Sequence, residues 1–128
     1  MAKILIVEDS VSQAAIMSEL VKAAGHDATI AKDFAKGVIQ SVMPHNPDIV
    51  LLDLILLDES GKQVADGFQI CRDIKKSSQG KIKVVIVSSK EDEESTEWAL
   101  LQGADAFLTK PFAVPELIAV INSLLEFK

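Results

Sequence analysis

The chain has 128 residues, of which 48% are hydrophobic, and its formal net charge is −6. This composition is that of one globular domain with a real core, and it excludes general disorder. The acidic balance disfavours nucleic-acid binding through a broad basic face. The single cysteine, Cys71, excludes an internal disulfide and favours a cytoplasmic setting. The apolar run that precedes Glu8 is too short for a signal peptide or a membrane span.

Apolar runs of strand length alternate with stretches of helical period along the chain. Strands are predicted at residues 3–7, 27–31, 48–53, 82–87 and 106–109. Helices are predicted at residues 11–24, 34–42, from 67 onward, around Trp98 up to Gly103, and at 115–127. This five-fold β-α alternation predicts an α/β fold with a five-stranded parallel sheet and helices on both faces. No repeat or linker divides the chain, so residues 1–128 are expected to form a single domain.

Carboxylate, hydroxyl and ammonium side chains stand at the ends of the predicted strands. The first strand is followed by Glu8 and Asp9, and the third ends in Asp53. The fourth is followed by Ser88 and Ser89, and the last by Lys110. In an open α/β sheet, ligands bind beyond the carboxyl ends of the strands, so these side chains should converge on one edge.

Three crowded carboxylates repel one another and require a cation. Oxygen ligands in a partly hydrated pocket favour a hard ion such as Mg²⁺. An aspartate beside a divalent cation, a lysine and a hydroxyl is well placed to accept a phosphoryl group.

Taken together, residues 4–9, 49–53, 66–68, 84–89 and 110–112 resemble the motifs of a response-regulator receiver domain (CheY-like) of two-component signalling. The resemblance covers essentially the whole chain and implies a (βα)5 flavodoxin-like doubly wound fold. It implies that Asp53 is the phosphoacceptor, and that Glu8 and Asp9 hold Mg²⁺ together with Asp53 and the backbone carbonyl of Ile55.

The resemblance also assigns the remaining site residues. Ser88 matches the hydroxyl that moves toward the phosphoryl group, and Lys110 matches the lysine that contacts the phosphoryl oxygens. Phe107 occupies the position of the aromatic residue whose rotamer reports activation. These assignments describe a signalling switch that assists its own phosphorylation rather than a turnover enzyme.

The resemblance implies partners as well. A sensor histidine kinase or a histidine phosphotransfer protein would supply the phosphoryl group, and a downstream protein would bind the face formed by the fourth helix, fifth strand and fifth helix. A phosphorylation-dependent homodimer on that face is a further family expectation. Neither direct nucleic-acid binding nor membrane insertion is expected, and no output domain is recognised within these 128 residues.

The segment after Asp53 departs from the family pattern. Aligning Asp66-Gly67 with the family's Asp-Gly implies an insertion of about six residues, which we expect to form a longer loop beside the site. Ile55 is apolar and Lys90 is cationic, and both adjoin the site. We therefore hypothesise slow hydrolysis of phospho-Asp53.

Structural alternatives compete with these assignments. Glu8 and Asp9 could cap the following helix. Lys110 could be an ordinary surface lysine. Phe107 could equally be a residue of the hydrophobic core with no switching role. At the level of function, a phosphorylation-independent interaction module with the same fold is the main alternative. A Mg²⁺-dependent phosphatase or transferase with an aspartyl-phosphate intermediate is disfavoured, because no candidate for the general acid or base that it would need near Asp53 is found outside the longer loop.

Overall fold

The computed structural model describes residues 2–8, 10–31, 42–53, 55–57, 63–88, 97–98, 100–110 and 112–126. The predicted second helix, residues 34–42, lies outside these ranges except for Val42, which precedes a short 3-10 turn at Met43–His45.

The described strands are β1 (Lys3–Val7), β2 (Asp27–Ile30), β3 (Ile49–Asp53), β4 (Ile55–Leu57), β5 (Gln63–Asp66), β6 (Lys83–Ser88) and β7 (Ala106–Thr109). Five of them form one parallel sheet in the order β2-β1-β3-β6-β7. The predicted five-stranded parallel sheet is therefore confirmed. Because β3 is its central strand, Asp53 ends the strand that has two neighbours on each side.

Helices cover both faces of this sheet. They are α1 (Val11–Ala23), α2 (Gly67–Ser77) and α3 (Val114–Glu126). Residues 97–98 and 100–101 are also helical, and the chain turns at Gly103, whose φ of +99° lies in the left-handed region that glycine adopts without strain. The predicted end of a helix near Gly103 is thus confirmed.

The strands are apolar on both sides, as parallel strands buried between two helix layers must be. Alternate residues of each strand point to opposite faces. Ile6 and Leu51 pack in one core with α1 and α3, whereas Leu5 and Leu52 pack in a second core with α2. The described strands and helices therefore share two cores, one on each face of the sheet.

The buried face of α1 does not include its first residue. Its buried residues are Ala14, Met17, Ser18 and Val21, whereas Val11 is 85% exposed. Val11 is the first residue of the helix and lies beyond the end of β1, where the sheet offers no apolar surface to cover it.

The segment after Asp53 forms a hairpin, not the plain loop that the sequence led us to expect. Strands β4 and β5 pair antiparallel, with Ile55 opposite Asp66 and Leu56 opposite Ala65. The pairing satisfies main-chain N–H and C=O groups that a loop would leave to water. The expected helix start after Asp66 is confirmed, because α2 begins at Gly67.

None of the helices within the described ranges combines the length and the apolar character that a membrane span requires.

Cys71 should be inert toward thiol reagents in the folded protein. Its side chain is fully buried in α2, and burial raises the pKa of the thiol from 9.0 to about 11. The thiolate is the form that reacts, and both the pKa shift of roughly two units and the burial of the sulfur slow its reaction. Alkylation by iodoacetamide at pH 8 should therefore be at least about tenfold slower in the folded protein than in urea-unfolded protein.

A matched control moves the thiol by one position to the exposed face of α2. The double variant Cys71→Ala with Arg72→Cys should react rapidly in its native state, because residue 72 is exposed. Equal rates for native and unfolded wild-type protein would contradict the buried placement of Cys71.

Candidate functional site

Four of the residues that the sequence predicts for the site lie at the carboxyl edge of the main sheet. Glu8 directly follows β1, Asp53 is the last residue of β3, Ser88 is the last of β6, and Lys110 directly follows β7. These four strands are consecutive neighbours in the sheet, so their ends bring together residues from positions 8 to 110.

Strand alternation sets the side to which these carboxylates point. Asp53 continues the row of Leu51, and Glu8 continues the row of Ile6. Both rows belong to the core that α1 and α3 cover. The two carboxylates therefore face the amino-terminal end of α1 and the end of β7.

The ammonium group of Lys110 connects these elements. Its Nζ donates to Glu8 Oε2 at 2.7 Å and to Gln13 Oε1 at 2.6 Å, and it lies 3.6 Å from Asp53 Oδ2. The Glu8 side chain is 3% exposed, while those of Asp53 and Lys110 are 14% and 19% exposed. The Lys110 ammonium is thus shared by two carboxylates at the ends of neighbouring strands, Glu8 at β1 and Asp53 at β3. This group of charges lies at the border between the core and solvent.

Burial dominates the electrostatics of Glu8. Removal from water raises its pKa from 4.5 to about 7, and the nearby negative charge of Asp53 also raises it. The hydrogen bonds from Lys110 and from the Ser10 backbone act in the opposite direction but do not cancel the desolvation.

The start of α1 adds two residues that the sequence analysis did not select. Ser10 is the N-cap of α1, and its Oγ accepts a hydrogen bond from the backbone N–H of Gln13 at 3.4 Å. The backbone N–H of Ser10 donates to Glu8 Oε1 at 3.1 Å. The spacing Ser-x-x-Gln is the capping-box pattern, and this signal could have drawn attention to Gln13.

Ser88 and Phe107 lie on strands beside this cluster. Ser88 is 3% exposed, and its backbone carbonyl accepts a 2.7 Å hydrogen bond from the backbone N–H of Lys110. Phe107 pairs with Ile86 and packs at the edge of the core that α2 covers. This packing fits the core interpretation of Phe107, and its role as a switch stays a prediction.

Other predicted site residues lie outside the described residues or are described only in part. Asp9, Ser89 and Lys90 fall outside the described ranges. Ile55 is the first residue of β4, two positions after Asp53, so its main chain lies at the same edge.

The donor set fits a hard cation in its chemistry. Glu8 and Asp53 supply carboxylate oxygens at the same edge of the sheet, and the main chain of Ile55 supplies a carbonyl oxygen nearby. Within the part of the chain that the structure describes, no three His, Cys, Asp or Glu side chains gather as a complete metal site. The expected metal site therefore stays a prediction that includes Asp9.

The raised pKa of Glu8 gives the metal-free protein a defined pH dependence. A carboxyl group whose pKa is higher in the folded state contributes stability at low pH, which is lost as pH rises from about 4.5 through about 7. Between pH 5.5 and 8, wild-type protein in EDTA should lose about 1–2 kcal/mol of unfolding free energy relative to Glu8→Gln.

Urea unfolding of both proteins at each pH measures this difference. All other titratable groups are present in both proteins, so the difference between the two curves isolates the contribution of Glu8. Parallel stability curves for the two proteins would show that Glu8 is not buried as described.

Comparison with known proteins identifies the family that the chain resembles. The model of the response regulator receiver domain family matches residues 4–122. Protein PilH of Pseudomonas aeruginosa is 32% identical over 126 residues, which are 98% of each chain.

Solved structures give the same result. The receiver domain of the Francisella response regulator 1452 superimposes with a TM-score of 0.83 at 26% identity, over 99% of this chain and 98% of that one. The BeF3-activated DrrB receiver domain gives a TM-score of 0.81 at 27% identity and covers 98% of both chains.

Proposed function

Because the chain belongs to the response regulator receiver domain family, we propose that it is a switch that accepts a phosphoryl group on Asp53. The observation that carries this assignment is the Lys110 ammonium, which lies 3.6 Å from Asp53 and 2.7 Å from Glu8 at the carboxyl edge of the sheet. Receiver domains are signalling switches and in general not turnover enzymes, and they depend on Mg²⁺ in general.

The proposed reaction is a transfer between two phosphoryl carriers. A carboxylate oxygen of Asp53 forms a bond to phosphorus while the P–N bond of a partner's phosphohistidine breaks, and the imidazole leaves with the electron pair of that bond. Asp53 is suited to this attack because its side chain ends the central strand and stays partly open to solvent. A sensor histidine kinase or a histidine phosphotransfer protein is the proposed donor.

Charge compensation is the role of the surrounding residues. Glu8, Asp9, Asp53 and the carbonyl of Ile55 would hold Mg²⁺, which supplies positive charge for the phosphoryl oxygens when bound. Lys110 binds a phosphoryl oxygen from the side of β7 and offsets part of the added negative charge. Ser88, on the strand next to Asp53, is the proposed hydroxyl that hydrogen-bonds the phosphoryl group.

Phosphorylation replaces the single negative charge of the Asp53 carboxylate with the charge of an acyl phosphate, about −1.5 to −2, so the net change at this edge is about −0.5 to −1. Through Ser88 and Phe107 this change would shift the population toward a surface that a downstream protein or a second copy of the chain binds. We propose the face formed by residues 97–103, β7 and α3 as that surface, since β7 carries Phe107 and leads directly into Lys110.

Phosphorylation of Asp53 is tested directly by intact mass. After incubation with acetyl phosphate and Mg²⁺, wild-type protein should gain the mass of one phosphoryl group, whereas Asp53→Asn should gain none because its amide is not a nucleophile. EDTA should suppress the adduct on wild-type protein.

Asp48→Asn is the matched control, because Asp48 directly precedes β3 at the opposite edge of the sheet, where its carboxylate accepts a hydrogen bond from the Lys3 backbone. This variant should be phosphorylated like wild-type protein. An adduct that persists in Asp53→Asn would contradict the assignment, and no adduct with any donor would favour a phosphorylation-independent interaction module.

Hydrolysis of phospho-Asp53 should be slow. An apolar Ile55 and a cationic Lys90 beside the acyl phosphate would hinder attack by water and hold a phosphoryl oxygen. Loss of ³²P label should accelerate by roughly a few-fold in Ile55→Asn and in Lys90→Glu, as expected when one or two weak contacts are removed. Unchanged decay in both variants would refute this explanation.

A further inference from the structure

We propose that Gln13 is a positioning residue that holds the Lys110 ammonium in place for the phosphoryl group on Asp53. This inference rests on the proposed function and adds to it a residue on α1 that the family motifs quoted above do not contain. Gln13 acts through Lys110, because its amide oxygen accepts a hydrogen bond from that ammonium.

The geometry of the ammonium supports this role. A lysine ammonium has three N–H donors. Two of them form short hydrogen bonds, to Glu8 at 2.7 Å and to Gln13 at 2.6 Å. The distance of 3.6 Å to Asp53 exceeds a hydrogen bond, so the third donor is left for a group placed between Nζ and that carboxylate. A phosphoryl oxygen attached to Asp53 would occupy that space.

The capping pattern at α1 shows that Gln13 is diverted from its ordinary local partner. In a capping box, the side chain at this position accepts the backbone N–H of the N-cap residue. Here Glu8 accepts the N–H of Ser10, and Gln13 accepts the Lys110 ammonium instead. The N-cap, Glu8, Lys110 and Gln13 thus form one closed ring of hydrogen bonds.

Charge explains why an amide suits this position. The side chain of lysine is long and flexible. Hydrogen bonds to two acceptors already restrict its conformations, so less conformational entropy is lost when it binds a phosphoryl oxygen. Glu8 already supplies a carboxylate. A second one in place of Gln13 would add negative charge where an anionic group must arrive, whereas the amide oxygen holds the cation without that cost.

Kinetics test the role of Gln13 in phosphorylation. Gln13→Met keeps the length of the side chain but removes the acceptor. With acetyl phosphate and Mg²⁺, its maximal phosphorylation rate should fall by roughly three- to tenfold, as expected for one lost hydrogen bond to a partly exposed charge. The donor concentration at half-maximal rate should change little. In a Lys110→Met background, the same substitution should have no further effect.

Gln69→Met is the matched control, because Gln69 is an exposed glutamine on α2 that contacts Asp73 and Arg72 rather than the site. It should leave the rate unchanged. A wild-type rate in Gln13→Met, or an equal loss in both Lys110 backgrounds, would overturn the proposal.

Ammonium NMR tests the positioning without any phosphorylation, so it separates this inference from the proposed function. In metal-free protein at low temperature, the ¹H–¹⁵N correlation of the Lys110 ammonium, assigned by its loss in Lys110→Met, should be protected from exchange. Gln13→Met should broaden it, whereas Gln13→Glu, which retains an acceptor, should keep it.

Lys75 serves as the internal reference for folding, since its ammonium is held by Asp105 at 2.9 Å and by the carbonyl of Ile82 at 3.0 Å. Its correlation should persist in every variant. A Lys110 correlation that is equally sharp in wild-type protein and in Gln13→Met would overturn the positioning role. This outcome decides the question even if Asp53 takes no phosphoryl group.

Discussion

The main constraint on this molecule is that its parallel sheet is buried on both faces. Between their ends, β1, β3 and β6 carry only apolar side chains, because each residue meets one helix layer or the other. A charged side chain can therefore emerge only where a strand ends. The polar residues of the site are at the carboxyl edge for this reason, and the order of strands in the sheet decides which of them become neighbours.

Within that edge, one cation balances two acids of unequal character. Glu8 is almost fully enclosed and is costly to ionise, whereas Asp53 stays partly open to water. Lys110 bonds to the enclosed acid and lies beside the open one. This asymmetry suits a site in which one carboxylate anchors the cation and the other reacts. The hydrogen bond from the Lys110 backbone to Ser88 fixes β7 against β6, so the same residue also joins the two strands that carry the proposed switch residues.

The parallel sheet was predictable from the sequence, and so was the place of Glu8, Asp53 and Lys110 at its strand ends, because these ends follow directly from apolar runs such as residues 4–7 and 49–52. Contacts between distant elements were not. Gln13 and Lys110 are 97 positions apart, and nothing in helical periodicity states that a glutamine on α1 reaches the end of β7. The hairpin was missed because strands of three and four residues have too little periodicity to distinguish from a loop.

The hairpin has one more consequence, which concerns how such chains diversify. Its strands pair with one another and not with the main sheet, so the hydrogen bonds between them lie within residues 55–66. An appendage of this kind can lengthen, shorten or change sequence without shifting the register of the sheet. The hairpin is nevertheless held at both ends. Asp53 lies two residues before Ile55, and α2 begins directly after Asp66. A change in this hairpin can therefore alter the surroundings of Asp53, the proposed phosphoacceptor, while the main sheet stays unaltered.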